Sequence, residues 1–342
     1  MTAGRIQYYD PITHLWKDLR RFAPLPYAGS YNSMVYARGK LYCAGGLMQH
    51  REFDPDMLFH DSDSDSEFDN SDHEDQYHYV SACQKEFYRY HARENIWTKL
   101  APMRKARNSF HMVYMNGHIY AIGGSNENGM VMGDVERYSL VDTSWRVLAS
   151  LPEIYQRISA IAFRGKIFVY GVKMVSGEAN LTKHVLQVYH PDTNVWQATL
   201  SEQHEGRQSQ LFIKPPTLFA YKDAFYRILY SLPQGKVSTW CLPGAECVPS
   251  VKRLRFDFAD NVVTITHCED VTQDRVPHNG AGAFRINEEV FVNEKGCVYN
   301  TGITVDPERT EDVNVSPWCT FSDASDQSNI TCFTFDRKLL EH

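Results

Sequence analysis

Apolar and polar positions alternate in short runs along much of the chain, each run bounded by glycine, asparagine or aspartate. The clearest set lies between Met103 and Trp145. An alternating run reaches Met115, Asn116-Gly117 follows, and His118-Ile-Tyr-Ala-Ile122 leads into Gly123-Gly124. Period-two alternation predicts half-buried strands. Asn-Gly between two of them predicts a hairpin with a type I′ turn, which needs two residues tolerant of positive φ. Gly123-Gly124 predicts the end of the second strand, where the backbone turns and a Cβ would crowd. After a polar loop, Asp134-Val-Glu-Arg-Tyr138 and a strand marked by Trp145 complete a four-stranded antiparallel unit.

The unit recurs. Tyrosine and tryptophan stand seven residues apart at Tyr9 and Trp16, Tyr90 and Trp97, Tyr138 and Trp145, and Tyr189 and Trp196. The hairpin returns as Gly39-Lys-Leu-Tyr42 ending at Gly45-Gly46, and as Gly165-Lys-Ile-Phe168 ending at Gly171-Val172. Trp97, Trp145 and Trp196 are 48 and 51 residues apart, a period that marks a propeller or an array. A double glycine followed by a tyrosine and a tryptophan at this spacing resembles the kelch repeat, most plainly from residue 5 to about 200. The fold expected is therefore all-β: a kelch β-propeller of four-stranded antiparallel blades. Residues 1–342 are expected to form a single domain, since one propeller sheet cannot bury its faces without neighbours.

Later units lose the glycines. Phe219–Leu229 matches the hairpin and Lys236–Leu242 is expected to supply the next strand; Gly282–Val292 and Gly296–Thr301 form a further degenerate unit, with Trp318 as its marker. Third strands are thus expected near residues 6, 86, 134, 185, 237 and 297. That count gives six blades, with five left open, and assigns no place to residues 243–279. Arg5–Tyr9 and Trp16 read as the outer half of a blade, so the chain is expected to be cut from a longer protein. The alternating Asn329–Phe335 run is the expected strand that closes the ring with the N-terminus, leaving no bare sheet edge.

One loop departs from the period. Gly39 to Trp97 spans 58 residues, against 28 from Gly117 to Trp145. The excess is an acidic insertion, expected as a disordered loop over residues 50–85. Between Glu52 and Asp75 lie eleven acidic residues and no Lys or Arg; such a segment repels itself and cannot bury enough apolar surface to order. Without it the formal charge of −7 becomes +4, so the acidic balance belongs to the insertion. Ser62, Ser64, Ser66 and Ser71 within it suit an acid-directed kinase. A self-shielding arm over the basic propeller is a further reading.

Composition excludes several classes. No run of 18 apolar residues exists to span a membrane, and the N-terminus has no apolar signal core. The eight cysteines are scattered, without a C-x-x-C pair, and read as free thiols of a reducing, cytoplasmic compartment. The 14 histidines show no ligand spacing, so no metal or cofactor is expected and the chain does not read as an enzyme. Dispersed basic residues and the acidic loop argue against nucleic acid.

In the kelch family, the loops before the innermost strand and those after the double glycine crowd one face, which docks partners. Carried onto this chain, the resemblance implies Tyr31, Asn32, Ser109, Arg157, His278 and Asn279 at the rim, with Arg107 flanking it. Pro215 and Gly280 occupy the matching places in the degenerate units. Asn126, Asn128 and Lys173 come from the loops after the glycines. Arg157 is the strongest of these, because an arginine can hold a partner carboxylate with two parallel bonds. The chain is similar to the propeller of BTB–BACK–kelch proteins, which implies substrate recognition for a cullin-3 ubiquitin ligase. Cullin contact and dimerisation would then belong to upstream domains, and this domain alone would be monomeric. The alternative is an actin- or scaffold-binding kelch protein.

Overall fold

A computed structural model describes residues 7–10, 15–18, 23, 32–53, 77–155, 157–174, 181–205, 217–221, 224–231, 248–259, 262–270, 282–286, 289–294 and 297–304. Every regular element among them is a strand, numbered β1 to β23 in chain order. Three complete repeats give four-stranded antiparallel sheets: β3(Ser33–Ala37)-β4(Lys40–Ala44)-β7(Phe87–His91)-β8(Ile96–Leu100), β9(His111–Met115)-β10(His118–Ile122)-β11(Val135–Ser139)-β12(Ser144–Val147), and β13(Arg157–Phe163)-β14(Lys166–Met174)-β15(Leu181–His190)-β16(Val195–Glu205). A fourth comprises β17(Thr217–Tyr221)-β18(Ala224–Ser231)-β19(Val248–Asp257)-β20(Thr264–Asp270), and β21(Gly282–Ile286)-β22(Glu289–Glu294)-β23(Cys297–Thr304) form three strands of another. β1(Gln7–Asp10) and β2(Leu15–Asp18) pair with each other, and with no further strand among the described residues. The first strands β3, β9, β13, β17 and β21 touch one another in chain order, as the inner strands of a propeller do.

The turns follow the chemistry read from the chain. Asn116 and Gly117 have φ of 49° and 80°, the two positive values a type I′ turn requires. Arg38-Gly39 and Arg164-Gly165 repeat the geometry, at 47° and 74° and at 47° and 72°. The seven-residue spacing of tyrosine and tryptophan also has a structural cause. Tyr90 faces Trp97, Tyr138 faces Trp145 and Tyr189 faces Trp196 directly across the two outer strands, with ring centres 5.2, 5.3 and 5.0 Å apart.

Each indole then reaches the linker that enters its own sheet. Trp97 Nε1 donates to the Ala23 carbonyl at 2.9 Å, Trp145 Nε1 to Ala101 and Trp196 Nε1 to Ala149, both at 2.8 Å. The repeated tryptophan thus fastens the outermost strand to the chain arriving from the preceding sheet. Asn95 and Asn194 reinforce this, each accepting at Oδ1 from a motif tyrosine hydroxyl and from the backbone N–H of Ala23 or Ala149.

Apolar side chains fill the spaces between sheets. Tyr42 and Phe87 of the first meet Met112, Ile119 and Tyr138 of the second. Val113, Tyr120 and Val135 of the second meet Ile158, Val169 and Tyr189 of the third. Phe168 and Leu186 of the third meet Phe225, Leu254 and Phe256 of the fourth. Wide rings suit this role: Phe87 packs edge-on against Tyr138 and Trp145 at 4.9 and 5.1 Å, a favoured aromatic geometry.

Three expectations change. The third strand of the fourth sheet is β19, Val248–Asp257, not a strand near residue 237; residues 236–242 lie outside the described residues. β19 and β20 occupy the stretch left without a place. The tyrosine–tryptophan marker is missing there, and Phe256 faces Ile265 instead. In the third sheet, the second strand does not stop at Gly171-Val172 but runs on to Met174, paired with Thr182. Gly171 is absent from the positive-φ positions; a Cβ there would strike the Tyr155 ring, so it is kept for close approach and not for a turn. Finally, β5(Leu47–Phe53) and β6(Tyr77–Cys83) pair as a two-stranded ribbon. Residues 50–53 and 77–83 of the expected loop are therefore strand, and residues 54–76 lie outside the described residues. Trp318 and the Asn329–Phe335 run also lie outside them.

Candidate protein-docking face

The face formed by the entering linkers and the loops after the glycines is built differently in the second and third sheets. In the second, Arg107 lies on the linker and is fully buried. Its Nη1 donates to the carbonyls of Gly123 and Asp134, both at 2.9 Å, and its Nη2 to Glu136 Oε1 at 2.6 Å. Glu136, itself 1% exposed, also accepts the backbone N–H groups of Arg104 and Lys105 at 2.7 and 3.1 Å. A buried charge needs a partner and hydrogen bonds. Each ion is the other's charge partner, and backbone groups supply the remaining bonds, leaving only the Arg107 Nε of this pair without one among the described residues. Arg107, expected beside the rim for partners, instead locks the linker to β11.

The third sheet uses a neutral version of the same joint. Tyr155 stands where Arg107 stands, and Gln187 where Glu136 stands. The Gln187 amide both accepts from Glu153 N and donates to Glu153 O, each at 3.1 Å. The charges have moved outward. The Glu153 carboxylate accepts from Lys183 Nζ at 2.7 and 2.9 Å and from the Tyr155 hydroxyl at 2.9 Å, and Lys173 Nζ lies 3.0 Å away. Lys173 and Lys183 are directly opposite each other on β14 and β15, on the part of the strands that runs past Gly171. Burial pushes the Glu153 carboxyl up, but the Lys183, Lys173 and Tyr155 hydrogen bonds outweigh it and hold the pKa at about 2. Burial, then the Glu153 carboxylate, pushes the Tyr155 hydroxyl well above its ordinary range. Lys173, expected to be available to partners, is committed to Glu153 and lies 5.4 Å from the Tyr155 ring centre.

The loop after Gly123-Gly124 is held as tightly. Asn126 Oδ1 accepts the N–H groups of Asn128 and Met130 at 3.1 and 2.9 Å, so Asn126 shapes the loop while Asn128 is exposed. Asn108 and Ser125 exchange backbone bonds at 2.9 Å, and Asn108 Nδ2 donates to Cys83 Sγ at 3.0 Å. Cys83 ends β6, so the base of the inserted ribbon is tied to the loops of the second sheet. Gly45 explains the crossing: its φ is 62°, and a Cβ would lie 2.5 Å from the Arg107 carbonyl.

Of the other expected rim residues, Ser109 is exposed with a φ of 51°, and Arg157 opens β13 opposite Val172. Asn32 precedes β3 and is partly exposed. Tyr31, His278, Asn279, Pro215 and Gly280 lie outside the described residues, as do Ser62, Ser64, Ser66 and Ser71. Two residues of this face were not singled out from the sequence: Met130, 65% exposed, and Ile154, 47% exposed. Ile154 packs its inner atoms on Gly133 and leaves the remainder to solvent. The only signal for them was an apolar residue inside a polar loop. The face thus offers apolar anchors beside fixed charges on two neighbouring sheets.

Among the described residues no helix is long and apolar enough to cross a membrane, and Cys43, Cys83 and Cys268 are free thiols.

A model of the Kelch motif matches residues 106–152. The chain is 27% identical over 190 residues to Kelch-like protein 34 of Homo sapiens, covering 55% of this chain and 26% of that protein. It is 25% identical over 190 residues to alpha-scruin of Limulus polyphemus, covering 55% and 18%. An F-box/kelch-repeat protein of Arabidopsis thaliana is 31% identical over 112 residues, covering 32% and 28%. The chain therefore spans less than a third of the length of these relatives. A solved structure titled "Structure of YjhT" superposes with a TM-score of 0.49 and 14% identity, covering 80% of this chain and 73% of that one; the fold assignment rests on the sheets above and not on this likeness. Repeated four-stranded sheets, the latching tryptophans and the matched motif together make the chain a kelch-repeat β-propeller protein.

Proposed function

We propose that the chain is a protein-binding module that captures a partner on the loop face of its second and third sheets. The observation that carries this is the pair of exposed apolar side chains, Met130 and Ile154, set in loops whose backbone is fixed by buried or paired polar groups. Ordered loops lower the entropy lost on association, and an apolar anchor surrounded by charge is the usual make-up of an interface centre and its rim. Arg157, Ser109 and Asn128 are the polar contacts of this reading, with Arg157 taking a carboxylate. Catalysis has no part in it.

The finer assignment is substrate recognition for a cullin-3 ubiquitin ligase, supported by the likeness to a kelch-like protein. Co-precipitation of the full gene product with cullin-3 tests it. Residues 1–342 alone should not bring cullin-3 down, and failure of the full product to do so would remove the ligase role while leaving the docking face intact. A second reading, binding to actin or a scaffold without a ligase role, is kept because the relatives also include the scruins. Co-sedimentation with actin filaments distinguishes it.

A further inference from the structure

The loop after Gly123-Gly124 holds a thioether out in solvent. Among the described side chains, Met103, Met112 and Met115 are buried and Met34, Met48 and Met132 half-buried, whereas Met130 is exposed. That exposure is built into the backbone. Met130 N donates to Asn126 Oδ1 at 2.9 Å, and its carbonyl accepts from Asn126 N at 3.0 Å. On the far side Val131 bridges to Ser125, and Met132 N donates to the Gly124 carbonyl at 2.8 Å. The segment is therefore clamped before and after Met130, and the side chain cannot be drawn into the core unless those bonds break. Glu127, Asn128 and Gly129 beside it are exposed as well, so small solutes reach it freely.

An accessible thioether is a substrate for hydrogen peroxide, and susceptibility follows exposure. A sulfur lone pair takes one peroxide oxygen; the S–O bond forms as the O–O bond breaks, and the second oxygen leaves as water after a proton shift. Sulfur loses two electrons and peroxide gains them. We propose that Met130 is a modification site at which peroxide forms a sulfoxide, and that this weakens capture on the loop face. The site of oxidation stands on the geometry alone, while its effect on capture rests on the docking reading above. There Met130 is an apolar anchor. Its sulfoxide is polar and chiral, and the new oxygen, once covered by a partner, needs a hydrogen bond that an apolar pocket does not supply. The sheets are untouched, because the side chain lies outside the packed core. Methionine sulfoxide reductases, one for each epimer, return the thioether, so the change is reversible.

Graded hydrogen peroxide on the 342-residue chain, followed by peptide mass spectrometry, tests the site. Met130 is expected to oxidise about tenfold or more faster than Met103, Met112 and Met115, and ahead of Met132 in the same loop. The thermal midpoint should not move at the dose that converts Met130 alone. Capture is read by affinity purification from one lysate, as recovery after treatment divided by recovery before it within each chain. That ratio should fall about tenfold in the wild type, as for loss of an apolar anchor, return after treatment with the two reductases, and stay near unity in Met130→Leu. Oxidation of Met130 no faster than of the buried methionines, a midpoint that falls with it, or an equal fall of the ratio in Met130→Leu would overturn the proposal. Ile154→Glu separates the two readings. If it loses partners while oxidation of Met130 does not, the modification proposal fails and the docking face stands; if neither loses them, the docking face fails and takes the effect on capture with it.

Discussion

The second and third sheets solve one joint in two ways. Both must hold the entering linker against the third strand, and each does so with a linker side chain, Arg107 or Tyr155; a Cβ on Gly171 would strike the Tyr155 ring, whereas one on Gly123 would strike Ile158. The second sheet buries an ion pair, Arg107 with Glu136, at 2.6 Å. The third fills the place with Tyr155 and Gln187 and moves its charges to Glu153, Lys173 and Lys183 at the surface. A buried pair gives little net stability over a neutral replacement, yet losing one partner is severe because the other charge remains in a low dielectric. The neutral joint avoids that risk and frees charge for the face. The same repeat geometry therefore allows one sheet to be rigid and the next to present a patterned surface.

The largest effect should come from breaking the ionic joint. Glu136→Ala is expected to lower stability by about 3–5 kcal/mol, the range for a buried ion left alone, measured by urea denaturation. Installing the neutral pair, Arg107→Tyr with Glu136→Gln, should recover most of that loss, because it leaves no charge buried without a partner. If the double variant is as unstable as the single one, the two joints are not equivalent.

Next in size is the glycine beneath Tyr155. Gly171→Ala forces a methyl group into the ring and should cost about 1–3 kcal/mol, as overpacking does. Trp145→Phe keeps an aromatic ring but removes the donor to the Ala101 carbonyl; about 1 kcal/mol is expected for one such bond, read from the shift in thermal midpoint.

The smallest effect is one of pH. The Glu153 carboxyl is held at about 2 in the folded chain against an ordinary 4.5. Its stabilising contribution is complete above the unfolded value and is lost as pH falls from 4.5 towards 2, because the unfolded chain takes up the proton first. Glu153→Gln should lose less stability across that window than the wild type, in melting curves taken at successive pH values. Equal acid sensitivity would show that the surface cluster does not act as drawn.

Much of the fold was legible because its markers have local causes. Asn116-Gly117 meets a backbone demand at two adjacent positions, and the seven-residue spacing of Tyr138 and Trp145 is the distance around one hairpin between residues that face each other. β19 was not legible, since Phe256 and Ile265 replace the marked pair and Arg253 and Arg255 interrupt its apolar run. The site was less legible than the fold. Arg107 and Lys173 have the composition of binding residues, and only the positions of Glu136 and Glu153, brought near by sheet pairing, show that both are already engaged. Met130 and Ile154 carry no motif, and their exposure is decided by how the loops fold back.

The central claim is that partners dock on the loop face of the second and third sheets. Its most direct test is quantitative affinity purification with the wild type, Ile154→Glu and Arg157→Ala, with Val141→Glu as the control on the turn face, where Val141 is 79% exposed. Partner recovery should fall about tenfold or more in Ile154→Glu, as for the loss of a central apolar anchor, fall in Arg157→Ala, and stay unchanged in Val141→Glu. Full recovery with both loop-face variants, or loss only with Val141→Glu, would contradict the account.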